Sequence, residues 1–111
     1  MIPIRITAKG KLKSPYKNST EADYAQLLEL RRRAGELVWW AYEGIKFRLA
    51  DGAWYTVDFV VMLPDGTIQC HEVKGFWREA AKVRIRVASS VFPFEFLAVK
   101  KTKKGWETEE F

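Results

Sequence analysis

The sequence contains one cysteine and one histidine in 111 residues. The single cysteine, Cys70, excludes an internal disulfide and is typical of a reducing compartment, so we expect the chain to be cytoplasmic. No apolar run is long enough to cross a membrane, and no signal-peptide core is seen near the first residue. Internal repeats and low-complexity tracts are absent as well. These absences exclude a membrane protein and a disulfide scaffold, and they favour a small globular domain.

What the chain has in excess is positive charge. Lysine and arginine number 19 against 14 for aspartate and glutamate, which gives a net charge of +5 and an isoelectric point of about 9.4. Such a surplus favours polyanionic partners. A chain of 111 residues makes one domain and leaves no room for a second. Any recognition surface must therefore share this domain or come from a second subunit.

Residues 1–17 are predicted to form a basic N-terminal arm, and residues 18–111 form the domain proper. The arm starts with a strand-like run and is then interrupted by Gly10 and Pro15. A basic arm can lie along phosphates, and a flexible solvated terminus explains the same composition equally well. The candidate DNA contacts in the arm are Lys9, Lys11, Lys13 and Lys17.

A helix is predicted from Asn18 to about Gly35. Asn18 can cap the helix, and Glu21 stands three residues later, as in a capping box. Gly35 is a typical residue for the helix end. Glu21 therefore has a structural role open to it. The apolar residues at helical spacing are Tyr24, Leu27 and Leu28.

The stretch from residue 55 to residue 75 is predicted to form two strands joined by a tight turn. Its centre, Leu63-Pro-Asp-Gly-Thr67, suits a three-residue loop with Gly66 in the left-handed conformation. That loop pairs Leu63 with Thr67. A two-residue turn at Asp65-Gly66 would shift the register by one, so the pairing of the strands depends on the loop type.

With the three-residue loop, three chemically significant residues share one face. Asp58 falls opposite Glu72, with Cβ atoms about 4.5–5.5 Å apart, and alternation adds Lys74. Two facing carboxylates within apolar runs repel each other, which makes sense if a divalent cation such as Mg²⁺ lies between them. The alternative is an ordinary solvated face. His71 alternates to the opposite face, where a structural role is predicted.

Asp58 followed by Glu72-Val73-Lys74 resembles the signature of the PD-(D/E)xK nuclease superfamily. The run from Glu72 to Phe76 with a basic helix after it is similar to the small phage endonucleases of that superfamily, of the endonuclease I type of Holliday junction resolvase. The resemblance covers roughly residues 19–100. Val57 stands where the family motif has a proline, which shapes the strand and carries no chemistry.

The resemblance implies a restriction-endonuclease-like α/β (α+β) core, in which helices flank a central mixed sheet in the order αβββαβ. It implies an endonuclease that hydrolyses DNA phosphodiester bonds with Mg²⁺, or with Mn²⁺ as a substitute. The implied partner is duplex or branched DNA, with selectivity for branched DNA as in a Holliday junction resolvase, and the implied oligomer is a homodimer. A phage enzyme of this kind would act in the host cytoplasm. Two other functions stay open: a nicking or restriction-type endonuclease on linear duplex, and a non-cleaving DNA-binding protein with the same fold.

The same resemblance implies roles for individual residues. Many of these nucleases place an acid on the helix before the sheet, and Glu21 matches it, with Glu29 as the alternative. Lys74 would orient the attacking water or the phosphate. The implied catalytic residues are Glu21, Asp58, Glu72 and Lys74. The implied metal ligands are Asp58, Glu72, the Val73 carbonyl and Glu21.

The remaining patterns predict the other elements. Residues 37–42 and 45–49 are strand-like, residues 77–91 form a helix, and residues 94–99 form a strand parallel to an earlier one. The tail from residue 105 has no assigned structure. Core or interface packing is predicted for Trp39, Trp40 and Trp54. The core stripe of the second helix is predicted as Ala80, Val83, Val87, Ala88 and Val91. Its candidate DNA contacts are Arg78, Lys82 and Arg86. The alternative is that these residues form an ordinary solvated face.

Overall fold

A computed structural model describes residues 14–74 and 79–111. It is a compact α+β fold with a mixed central sheet and two helices, as the sequence predicts. No helix in these two ranges is long and apolar enough to cross a membrane. The predicted contacts Lys9, Lys11, Lys13 and Arg78 lie outside the described residues. The elements are α1 (Ser19–Arg33), β1 (Trp39–Tyr42), β2 (Lys46–Ala50), β3 (Ala53–Thr56), β4 (Phe59–Met62), β5 (Ile68–Val73), α2 (Glu79–Val91), β6 (Glu95–Thr102) and β7 (Gly105–Glu110).

The central sheet has the strand order β1-β4-β5-β6-β7, and β2 and β3 form a separate two-stranded ribbon. Strands β5 and β6 are parallel, as predicted for a crossover through α2, and the other neighbours are antiparallel. Helix α1 packs on one face of the sheet through Leu28, next to Val61 and Val99. Helix α2 and the ribbon pack on the other face, where Ile85 lies against Val60. The site residues therefore have a layer of structure on each side.

Helix α1 begins where the sequence predicts. The side chain of Asn18 accepts the N–H of Glu21 at 2.9 Å. The Glu21 carboxylate accepts the N–H of Lys17 at 3.1 Å, one residue before the N-cap, so the capping box is displaced by one position. Gly35 has a φ of +82° just past the helix end, a conformation that glycine adopts without strain.

The hairpin between β4 and β5 has the predicted loop. The N–H of Leu63 donates to the carbonyl of Thr67, and the N–H of Gly66 donates to the carbonyl of Leu63, both at 2.9 Å. Gly66 has a φ of +90°, in the left-handed region. The loop fixes the register, with Phe59 opposite His71. The ladder ends at this pair, and the next residue, Asp58, accepts the backbone N–H of Val73 at 2.9 Å, which joins it to the strand beside Glu72.

The strand predicted to enter this hairpin is divided in two by a bend. Strand β3 ends at Thr56 and β4 begins at Phe59. Val57 packs with the ribbon and α2, whereas Phe59 packs with α1. Residues two apart in a regular strand share a face, so the chain must turn between them. The turn places Asp58 at the end of the sheet, between the two layers.

Helix α2 turns a different face to the core from the one predicted. Ile85 and Ala88 are fully buried in the cluster that contains Phe47. Past the helix end, the ring of Phe92 lies 4.6 Å from that of Phe47 and holds the helix in this rotation. The predicted stripe is correct only at Ala88. Its other members are exposed: Ala80, Val83, Val87 and Val91.

Strand β7 is an element that the sequence did not predict. Gly105, with a φ of +127°, turns the chain back so that β7 pairs with β6 at the edge of the sheet. Trp106 then packs edge-on against Tyr24, with ring centroids 4.9 Å apart. Gly105, which follows two lysines, indicates a turn in the sequence, but the three glutamates after it are unfavourable to a strand.

Candidate active site

Glu72 is a buried acid with a partner at each of its two carboxylate oxygens. It is 6% exposed and lies on the face of β5 that the ribbon covers. The hydroxyl of Tyr55 donates to its Oε1 at 2.6 Å, and the ammonium of Lys74 lies 3.2 Å from its Oε2. A carboxylate offers about four acceptor sites, so each oxygen can take a further ligand. Tyr55 was not predicted, because only the packing of the ribbon on the sheet brings its hydroxyl to Glu72.

Asp58 lies at the bend beside Glu72 and is 3% exposed. The backbone N–H of Val73 donates to its Oδ2 at 2.9 Å. Its own carbonyl accepts the N–H of Glu43 at 2.7 Å. These two bonds tie Asp58 to the strand that carries Glu72 and to the loop after β1. Its position is therefore held from both sides.

The pKa of Asp58 is raised from 3.8 to about 7. Burial is the main cause, because it disfavours the charged form, and the negative charge of Glu72 adds to it. The charge of Glu21 raises the pKa further, while the Val73 N–H and the Lys74 ammonium act against the rise. Near neutral pH an additional positive charge at the site would therefore stabilise the ionised form of Asp58.

Glu21 also acts on Asp58, and unlike Glu72 it lies outside the hairpin. It is 3% exposed at the first turn of α1. Its Oε1 accepts the hydroxyl of Tyr42 at 2.8 Å, in addition to the N–H of Lys17. Its charge contributes to the raised pKa of Asp58, so the two carboxylates lie within electrostatic reach. The structure thus brings Glu21 to the site while it keeps its capping role.

Glu29, the alternative third acid, is engaged elsewhere. Its carboxylate accepts bonds from Arg32 at 2.9 and 2.7 Å and from the indole N–H of Trp40 at 3.1 Å. These bonds lower the pKa of Glu29 to about 2, chiefly through Arg32. Glu29 is not among the groups that shift the pKa of Asp58. Of the two alternatives, only Glu21 belongs to the same electrostatic cluster as Asp58.

No group of three or more histidine, cysteine, aspartate or glutamate side chains converges on a single metal position within residues 14–74 and 79–111. Asp58 and Glu72 form a pair, and Glu21 influences Asp58 at longer range. Asp58 and Glu72 are both buried, and the charge of Glu72 acts directly on Asp58.

The basic residues predicted to contact DNA are dispersed. Lys17 lies near the acids. Its ammonium is 3.3 Å from Glu43, and its pKa is raised by Glu43 and by the charges of Asp58 and Glu21. Lys82 and Arg86 lie on α2, on the other side of the sheet from α1. The guanidinium of Arg86 is 5.9 Å from the ring centroid of Phe111. Only Lys17 among these three therefore has an electrostatic link to the acids.

His71 lies on the face of β5 opposite Glu72, as predicted. Its Nδ1 is 2.6 Å from the hydroxyl of Tyr24, and its Nε2 is 2.9 Å from Oε1 of Gln69. Because Gln69 donates its amide to Glu95, its oxygen is free to accept the Nε2–H of a neutral imidazole. Burial lowers the pKa of His71 to about 4. The ring is a neutral structural link between α1 and the sheet.

The raised pKa of Asp58 predicts how stability depends on pH without metal. The folded state holds the proton more tightly than the unfolded state, so this stabilisation is complete below pH 3.8 and is lost as the pH rises through about 7. We expect Asp58→Asn, which cannot ionise, to raise the melting temperature more at pH 8 than at pH 5. Thermal unfolding of both proteins in EDTA measures this.

His71 titrates in the opposite sense, because its lowered pKa removes stability as the pH falls below about 6.5. It is present in both proteins and cancels in the comparison at each pH. Each 1 kcal/mol shifts the melting temperature of a domain of this size by roughly 4–8 °C, so the effect is measurable. A difference between the two proteins that stays constant with pH would contradict the buried, repelled state of Asp58.

No family model matches this chain, and neither the curated proteins nor the solved structures contain a match. Function must therefore be inferred from the residues of the chain itself.

Proposed function

We propose that this protein is a Mg²⁺-dependent DNA endonuclease with a restriction-endonuclease-like core, selective for branched DNA. One observation carries the proposal: Asp58 and Glu72 are buried side by side, and the ammonium of Lys74 lies 3.2 Å from Glu72. Two like charges in a buried site are costly without a cation to hold. The same three residues match the nuclease signature in type, order and position on the hairpin.

The donor set suits Mg²⁺. This ion takes hard oxygen ligands and is usually held by one or two carboxylates together with several waters, so Asp58 and Glu72 suffice. Burial and then the charge of Glu72 raise the pKa of Asp58, and a bound cation would relieve the repulsion between the two carboxylates. Glu21 adds negative charge behind them, and the Val73 carbonyl is the backbone ligand that the family resemblance implies. Mn²⁺ prefers similar oxygen ligands and is expected to substitute.

The residues of the chain have distinct parts in the proposed reaction. Asp58 and Glu72 would hold the Mg²⁺, which would lower the pKa of a water molecule and offset negative charge on the phosphodiester. Tyr55 holds Oε1 of Glu72 at 2.6 Å and so fixes the plane of that carboxylate. Lys74 directly follows β5, and its backbone N–H donates to the carbonyl of Val99 at 2.9 Å. In the proposed reaction its ammonium contacts a phosphate oxygen or the attacking water as negative charge develops.

The substrate and the oligomeric state follow from the number of sites. One such site cuts one strand, so symmetric cleavage of a junction or duplex requires two copies of the chain, and we propose a homodimer. The net charge of +5 favours DNA as the partner. The choice of branched DNA is taken from the resemblance to junction resolvases.

A gel cleavage assay tests this function. Labelled four-way junction, linear duplex and single-stranded DNA are each incubated with protein in Mg²⁺ or EDTA. We expect Mg²⁺-dependent cutting of the junction, which Glu72→Ala abolishes. Glu95→Ala is the matched control, because Glu95 is exposed on the neighbouring strand and bonds Gln69.

Cutting of linear duplex in preference to the junction would favour a nicking or restriction-type enzyme. DNA binding without cutting on every substrate would reject the nuclease and leave the non-cleaving DNA-binding protein as the function.

A further inference from the structure

The β2–β3 ribbon has two different faces. On its inner face, Phe47 and Tyr55 pair directly and are buried against the sheet and α2. Tyr55 reaches from this face to Glu72. The outer face consists of four exposed residues, since Lys46 pairs with Thr56 and Arg48 pairs with Trp54. The core requires the inner face alone, which leaves the outer face without a structural role.

The outer face combines an exposed aromatic ring with cations. Trp54 is 51% exposed, and the ammonium of Lys46 lies 5.1 Å from its ring centroid. Arg48 stands directly opposite Trp54 in the ribbon. Its guanidinium contacts Asp51 in the turn, but both side chains are exposed, so this ion pair contributes little and a phosphate can replace it. An indole flanked by two cations suits a ligand with flat rings and phosphates.

We infer that the outer face of the ribbon is a subsite for unpaired nucleotides of a DNA substrate, in which Trp54 stacks on a base while Lys46 and Arg48 contact the flanking phosphates. This inference rests on the proposed function for its ligand. Aromatic side chains stack on every type of base, but only on bases that are not already covered by neighbours in a duplex. The subsite therefore selects DNA with single-stranded segments or an opened branch point.

The ribbon that carries the subsite also contacts the proposed cleavage site. Trp54 and Tyr55 are consecutive, with Cα atoms about 3.8 Å apart, and Tyr55 holds Glu72. The chain then runs through Val57 directly to Asp58. A nucleotide stacked on Trp54 would therefore be held by the same ribbon that covers Glu72 with its opposite face. Cleavage is expected near the boundary between paired and unpaired DNA.

The test is a binding measurement that does not depend on cleavage. Fluorescence anisotropy in EDTA gives the affinities for a labelled single strand and for a blunt duplex of the same labelled sequence. We expect Trp54→Ala to weaken binding of the single strand by about 5- to 150-fold, the range for loss of one base stack, and to leave duplex binding unchanged. Trp54→Phe should retain most of the affinity.

Trp39→Ala is the matched control, because Trp39 has a similar exposure on β1 but no cation over its ring among the described residues. Unchanged single-strand affinity in Trp54→Ala would overturn the subsite, as would an equal loss on both DNAs, which would indicate backbone contact alone. The two proposals fail separately: a protein that binds through Trp54 but never cuts refutes only the nuclease. One that cuts equally well without Trp54 and binds single strands as before refutes only the subsite.

Discussion

If the proposed nuclease function is correct, we expect Lys74→Ala to lower the rate of DNA cleavage by about 10²–10³-fold or more and to leave DNA affinity largely intact. The reason is that the ammonium, 3.2 Å from Oε2 of Glu72, acts on charge that develops only during the reaction. Removing one such preorganised donor typically costs about 10²–10³ in the chemical step. Binding of DNA depends instead on the many cations of the surface.

Single-turnover cleavage with saturating protein separates the two quantities, because it reports the chemical step while anisotropy reports affinity. Lys101→Ala is the control. Its ammonium also pairs with a carboxylate, Asp23 at 2.6 Å, and it is also partly exposed, but it lies outside the site. We expect it to cut normally. If Lys74→Ala loses binding and cutting together, Lys74 is a DNA-gripping residue and the assigned role is wrong.

We expect Asp58→Ala to remove the divalent-cation binding that we propose. Loss of a residue that only hydrogen-bonds to a metal ligand typically lowers metal affinity by about 10–100-fold. Loss of a ligand itself should lower the affinity at least as much. Asp58→Asn should do the same while its amide oxygen keeps the bond from the Val73 N–H, which is 2.9 Å long in the native protein. This second variant separates loss of charge from loss of structure.

Calorimetric titration with Mg²⁺ and Mn²⁺ measures these affinities. Glu29→Ala is the matched control, because Glu29 is bound by Arg32 and Trp40 away from Asp58. Glu21→Ala is expected to weaken binding to a smaller degree, since Glu21 acts on Asp58 through its charge. Unchanged affinity in both Asp58 variants would refute the metal site. Weaker binding in Glu29→Ala than in Glu21→Ala would reverse the assignment of the third acid.

The two experiments also separate the parts of the site. Loss of metal binding in the Asp58 variants with normal metal binding in Lys74→Ala would assign cation capture to the acids and rate enhancement to the lysine. Tyr55→Phe would then extend the division, because it removes the 2.6 Å bond to Glu72 and keeps the buried ring that packs with Phe47.

The sequence alone determined the features that depend on neighbouring residues. The capping residue Asn18, the helix end at Gly35 and the loop with Gly66 all follow from short-range backbone chemistry, and all were predicted. Because the loop also sets the register, the pairing of Phe59 with His71, next to Asp58 and Glu72, could be predicted from five residues at the turn. The parallel pairing of β5 with β6 followed from the helix between them.

Tertiary structure alone decided the features that require distant parts of the chain to meet. The bend before Phe59 arises because Val57 and Phe59 join different cores, and the rotation of α2 is fixed by Phe47 and Phe92. The contact of Tyr55 with Glu72 spans 17 positions of sequence. Local patterns specify conformation and spacing, whereas which of two comparable faces is buried depends on the shape of the surface that it meets.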